Sequence, residues 1–152
     1  MAITRQEAVE EILEDLGTGI ERTALALACL GAAYEALTVA PADRLEEELY
    51  GPVQRAYGRG MRAYSSFAKA NGMPARDFPQ PDAGVASQGP RAFVDRAVVA
   101  AANADRALSD LQDKPIWIEF GDSELRAGLA AMRELLVPLP KSAREFVRTL
   151  GR

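Results

Sequence analysis

Nine apolar side chains, Val9, Leu13, Leu16, Ile20, Ala24, Leu27, Leu30, Tyr34 and Leu37, follow one another at steps of three and four residues. A strand turns every second side chain to the other face, so only a helix keeps such a set on one side. Mixed steps of three and four also make the narrow seam by which helices pack into bundles. The spacing predicts a long N-terminal helix that stops before Pro41. Its start is marked by Thr4-Arg5-Gln6-Glu7, a capping box in which hydroxyl and carboxylate satisfy amides that the first turn leaves free. Glu7, Glu10, Glu11 and Glu14 place negative charge at the positive end of the helix dipole. Gly17 and Gly19 read as a soft spot where the helix bends, each costing about 1 kcal/mol relative to Ala.

A second helix follows a short turn at Ala40-Pro41-Ala42, with Asp43 as its N-cap, and runs to about Asn71, where Gly72 has the character of a C′ residue. It holds three successive heptads, YGPVQRA (50–56), YGRGMRA (57–63) and YSSFAKA (64–70). A heptad is two helical turns, so tyrosines, small residues, cations and alanines each form a stripe. Pro52 lacks an amide and is expected to kink or restart this helix.

Residues 72–90 carry four Pro and three Gly, which forbids a regular element. Extended at roughly 3.3 Å per residue, this segment is long enough to cross the full length of a bundle. Beyond it, Pro90 opens a third helix with the stripe Phe93, Ala97, Ala101, Ala104, Leu108 and Leu111. Residues 115–120 alternate like a strand, yet a lone strand finds no partner in this chain, so a tucked connector or helical turn is expected. Asp122 and Ser123 cap a fourth helix bearing Leu125, Leu129, Met132 and Leu136. Ser142-Ala143-Arg144-Glu145 is a second capping box, opening a short terminal helix. The expected fold is all-α: a single domain over 1–152, built as a four-helix bundle with one long crossover between helices 2 and 3 and a short C-terminal helix. Composition agrees, with 28 Ala and 16 Leu against 19 β-branched residues. A bundle with one long crossover has the ferritin-like arrangement of elements.

Several chemistries are closed to this inventory. The chain has no His and a single Cys. His-based zinc sites, Ser-His-Asp and Cys-His catalysis, internal disulfides and the Glu-x-x-His half of a di-iron site are therefore excluded. No acid lies between Glu48 and Asp77, so the middle of the second helix offers a metal nothing. No metal and no cofactor is expected, and the balance leans against an enzyme. Gly58-Arg59-Gly60 lacks the preceding strand that a phosphate-binding loop needs. The N-terminus has neither a signal-peptide nor a transit-peptide pattern, and the longest charge-free run, Thr23 to Tyr34, falls short of the roughly 18–20 residues that span a bilayer. A cytoplasmic location with no membrane partner is the expectation.

Charge is distributed unevenly. Residues 1–50 carry a net charge of −8, residues 51–76 of +5 and residues 77–152 of −1. An antiparallel hairpin of the first two helices, turning near residue 40, sets Glu21 near Arg59, Asp15 near Arg62 or Lys69, Glu11 near Lys69 and Glu35 near Arg44. These pairs are expected to select the register of the hairpin. Nucleic acid is not expected as a partner of so acidic a chain, although Lys141, Arg144, Arg148 and Arg152 form a basic stripe able to meet phosphate.

Two sets of residues stand out as candidate sites. Tyr57 and Tyr64 with Arg59 are suited to an anionic aromatic ligand. The stripe of Thr18, Arg22, Leu25, Cys29, Ala33 and Ala36 lies opposite the main seam and is too apolar to face water. It must be covered by the terminal helix or by a second subunit, so Leu25, Cys29, Ala33 and Ala36 are the candidates for self-association. The expected function is that of a non-enzymatic interaction or scaffold protein that forms a homodimer. The alternatives are a small-molecule-binding bundle and a degenerate ferritin-like protein without metal.

Overall fold

A computed structural model describes residues 2–85, 87 and 89–150. All regular structure among them is helical: α1 (Arg5–Glu35), α2 (Val39–Leu45), a π-helical turn (Glu46–Tyr50), α3 (Gly51–Ala70), α4 (Gly89–Gln112), α5 (Pro115–Phe120), α6 (Ser123–Leu136) and α7 (Leu139–Leu150). α1 packs on α3 and α4, and α6 packs on the same two, so α3 and α4 stand on a diagonal. Arg5 bonds Asn71 at one end of the α1–α3 pair, and Gly31 adjoins Tyr50 at the other, which makes the two antiparallel. Gly19 against Leu108 and Asp15 against Lys114 make α1 and α4 antiparallel as well. α3 and α4 therefore run in the same direction, and the segment joining them has to return along the whole bundle.

Local chemistry explains the ends of most elements. Thr4 is the N-cap of α1, and its hydroxyl oxygen accepts from the Glu7 amide at 3.1 Å. The Glu7 carboxylate accepts from the Thr4 hydroxyl at 2.9 Å, so the box closes through side chains. Asp122 caps α6 by accepting from the Leu125 amide at 2.7 Å. The second capping box does not form. α7 already begins at Leu139 with Pro140 in its first turn, where a missing amide costs nothing, so Ser142 lies inside the helix. The N-cap at Asp43 is likewise displaced to Thr38, because Pro41 is tolerated in the first turn of α2.

Pro52 neither breaks nor restarts the second rod. The Gly51 amide reaches back to the Glu46 carbonyl, and the π-helical turn so formed widens the backbone just ahead of the proline ring. That single wide turn lets α2 and α3 run on as one helix. At its far end Gly72 adopts φ +67°, the left-handed conformation of a C′ glycine, and the Met73 amide returns to Ala68.

α1 is enclosed on three sides, and its two central glycines are the reason. A Cβ on Gly19 would stand 2.6 Å from Leu108 Cδ2, and one on Gly17 would collide with the Arg76 guanidinium. The neighbouring Ile20 reaches α3 at Gly60. The helix is continuous through both glycines, and Gly19 is a position of close approach to α4. Seven of the nine seam residues are buried, and Tyr34 and Leu37 at its end are half-buried.

The crossover runs as a strap over residues 73–85, with residues 86 and 88 of the 72–90 segment outside the described set. Phe78 is buried in the cleft between α1 and α3, its ring edge-on to Tyr64 at 5.1 Å and 78°. The Arg76 guanidinium lies 4.6 Å over the same ring and is ion-paired with Glu21. Gly84, at φ +91°, lets the Arg96 side chain come close, and Arg96 donates to the Ala83 and Val85 carbonyls.

Lys114 joins the turn after α4 to α1 by donating to Asp15 at 2.6 Å and Glu11 at 3.1 Å. The bond to Asp15 raises the Lys114 pKa, against a smaller lowering by burial. A raised lysine pKa contributes stability that is present below the unfolded value of about 10.4 and is lost as pH climbs through the folded one. The Lys114 side chain is 39% exposed, so solvent screens the pair and Lys114→Met should cost less than about 1 kcal/mol near neutrality. The wild-type advantage should begin to fall as pH passes about 10.4 and be gone only above the raised folded value in paired denaturant titrations; an advantage that grows with alkalinity would contradict the assignment.

Candidate functional site

The structure separates the three residues of the expected ligand site. Tyr57 and Tyr64 sit one heptad apart beneath the strap, where the Tyr57 hydroxyl donates to the Phe78 carbonyl and Tyr64 holds the Phe78 ring. Their exposed faces are thus covered by the chain's own phenylalanine. Arg59, two positions from Tyr57, points elsewhere. It lines a shallow 340 Å³ depression beside Arg62, Ser66 and Glu124, on the side of α6. Residues two apart on a helix do not share a face, so Arg59 does not converge with the tyrosines.

The expected charge pairs of the first hairpin do not form either. Its register is as expected, since Ile20 meets Gly60, but the acids of α1 turn away from α3. Glu21 pairs with Arg76 of the strap, and Glu11 and Asp15 pair with Lys114. Arg44 bonds the Thr149 hydroxyl at 2.7 Å and lies over the Phe146 ring, leaving Glu35 aside. Apolar burial at the seam sets the register, and the charges then take whichever partner flanks their own rim.

The Cys29–Ala33 part of the stripe opposite the seam is covered within the chain. Cys29 and Ala33 are buried, while Leu25 and Ala36 remain exposed. The cover comes from α4, the helix most extensively packed on α1, and not from the terminal helix. Cys29 and Ala33 therefore offer no contact to a second copy. Burial pushes the Cys29 thiol up against the opposing charge of Arg96, which keeps it protonated and poorly nucleophilic at neutral pH. At mid-height the bundle holds Ile20, Gly60 and Met132, an apolar centre. Among the described residues no three metal-ligating side chains cluster, and no helix is long and apolar enough to cross a membrane.

A groove of 660 Å³ lies between α4 and α7. Val98, Val99, Ala143 and Val147 form its floor, with Val99 60% exposed. Arg91, Arg144 and Arg148 stand along it, and Asp95 is the one acid in the lining. Among the described residues none of the three arginines has a carboxylate within 4.0 Å. Arg144 and Arg148 belong to the basic stripe of the sequence, whose last member, Arg152, lies outside the described residues. Arg91 and the valines of α4 escaped notice because nothing local ties them to α7, some fifty positions on.

α2 packs on the other flank of α7, where Arg44 is bonded to Thr149 and lies over the Phe146 ring, two residues that do not line the groove. The outer side of α2 and the π-helical turn is acidic, with Asp43 and Glu47 exposed and Val39 77% exposed beside them. Neither acid has a basic group within 4.0 Å among the described residues. No family model matches the chain, and no curated protein or solved structure matches it either.

Proposed function

We propose that this protein is a non-enzymatic interaction and scaffold protein that associates with a second copy of itself through the α4–α7 groove. The observation that carries this reading is a pair of unneutralised surfaces of opposite sign on the two flanks of α7, the arginine-lined groove and the acidic side of α2. In a two-fold dimer the same patch serves both subunits. A surface centred on α7, basic on one flank and acidic on the other, is self-complementary under that operation: Asp43 and Glu47 of each copy meet Arg144 and Arg148 of the other. The exposed Val39 and Val99 supply apolar contact on the two halves. Unpaired charges at the patch oppose other partners and set the register of this one.

Light scattering across salt concentrations tests the reading. The expected result is a dimer that weakens as salt rises, since rim charges are screened over about 8 Å at physiological ionic strength. Arg144→Glu/Arg148→Glu and Asp43→Lys/Glu47→Lys should each be folded monomers. Mixed together they should form a heterodimer, because one then carries two acidic halves and the other two basic halves. A wild-type monomer at high micromolar concentration, or a mixture that stays monomeric, would rule out this mode of association.

A further inference from the structure

The geometry points to a binding site for a methylated ammonium group at the corner where the end of α1 meets the π-helical turn. This site is independent of the groove. A cavity of 260 Å³ opens there, lined by Gly31, Tyr34 and Glu35 of α1 and by Glu46 and Tyr50 of the turn. Both tyrosines are half-buried against the core and the two glutamates are exposed. The lining contains two aromatic rings, two carboxylates and no cation. Tyr50 leans over Gly31, where a Cβ would stand 3.9 Å from its ring edge, so the ring takes its place against bare backbone.

Three features of the corner favour a cation. Among the described residues, neither Glu35 nor Glu46 has a basic group within 4.0 Å. Arg44, the cation that the sequence places near Glu35, is instead engaged with Thr149 and Phe146. The last turn of α1 holds no basic residue and ends on Glu35, an acid where the negative end of the helix dipole favours positive charge. A cation seated here would meet two carboxylates and two aromatic rings together, at the negative end of α1.

The rings decide which cation. A bare calcium ion takes six to eight oxygen ligands, and two side-chain carboxylates fall well short. Tyrosine faces attract a large, weakly hydrated ammonium whose methyl groups also bury apolar surface. The cavity lies below the roughly 300–1,000 Å³ of sites for drug-sized ligands, which suits a small head group. The same chemistry is presented by free choline-type compounds and by a methylated lysine side chain.

The test is an NMR titration of the full chain with tetramethylammonium. Saturable shifts are expected at Gly31, Tyr34, Glu35, Glu46 and Tyr50, with Kd on the order of 1 mM. Glu35→Gln/Glu46→Gln, which alters only exposed side chains, should weaken binding about tenfold; Tyr50→Ala should abolish it. The uncharged tert-butyl analogue of choline should not bind. Choline and a peptide bearing trimethyl-lysine, titrated separately, then identify the source by which saturates at lower concentration. The inference is overturned by no saturable shift, by equal binding of the uncharged analogue, by equal shifts with calcium, or by binding that the double glutamine variant leaves unchanged. None of these bears on the dimer, whose test leaves these two glutamates intact.

Discussion

Replacing Phe78 by alanine should remove about 3 kcal/mol of stability and lower Tm by about 6–12 °C. Phe78 is 5% exposed in a segment without regular structure, and it is the large apolar side chain by which the strap enters the core. Its ring is held edge-on by Tyr64 and covered by Arg76, and its carbonyl takes the Tyr57 hydroxyl. Loss of the ring opens a cavity that the helices on either side cannot close without leaving their other contacts. The strap has an escape that a helix lacks, since it can peel away and leave the bundle standing. Trypsin should therefore cut after Arg76 much faster in the variant, well before global unfolding. Phe78→Leu should retain most of the stability. An alanine variant with unchanged Tm and unchanged cleavage would mean that the crossover does not lie in the α1–α3 cleft.

A second large effect is expected at the α3–α6 contact, and its sign is the informative part. Within a helix, Gly→Ala ordinarily stabilises by about 0.4–1 kcal/mol. A Cβ on Gly128 would stand 2.8 Å from Ala63 Cβ, far inside the 3.5–4.0 Å of good carbon contact. Neither carbon can turn aside, because each is fixed to its backbone. Gly128→Ala should thus destabilise by about 1–3 kcal/mol. The exchange Ala63→Gly/Gly128→Ala moves the methyl group to the opposite helix and should recover most of that loss, a coupling that a double-mutant cycle measures. Gly58 supplies the control, since a Cβ there meets nothing within 4 Å, and Gly58→Ala should stabilise. If Gly128→Ala behaves like Gly58→Ala, the two helices are not as close as described.

These two positions also mark where sequence reasoning reached and where it stopped. The Gly17–Gly19 pair was legible as an exception in a helix, but the sequence alone offers no way to tell a bend from a close approach. The difference lies in Leu108 and Arg76, which are remote in the chain. The tyrosine heptads were legible as a stripe, and their facing partner, Phe78, was not. It lies in a Pro-rich segment whose path depends on α3 and α4 running in the same direction. Of the candidate sites, the basic stripe on α7 was visible in the spacing, whereas the groove needed α4 beside it. The corner of Tyr34, Glu35, Glu46 and Tyr50 had no signal, since it arises where a helix end meets a π-helical turn.

By itself the sequence determined the main helices in their order, the all-α class, the need for a long crossover and the register of the first hairpin, though not where the second and the last helices begin. All of these follow from periodicity, caps, prolines and chain length, which act over a few turns of backbone. Only the tertiary structure decided which acid meets which cation, what covers Cys29 and what fills the space over Tyr57 and Tyr64. Apolar burial commits a helix to a face but is indifferent to what lies along its rim. Surface charges, each contributing at most about 1 kcal/mol, pair with whatever the packed core happens to bring beside them.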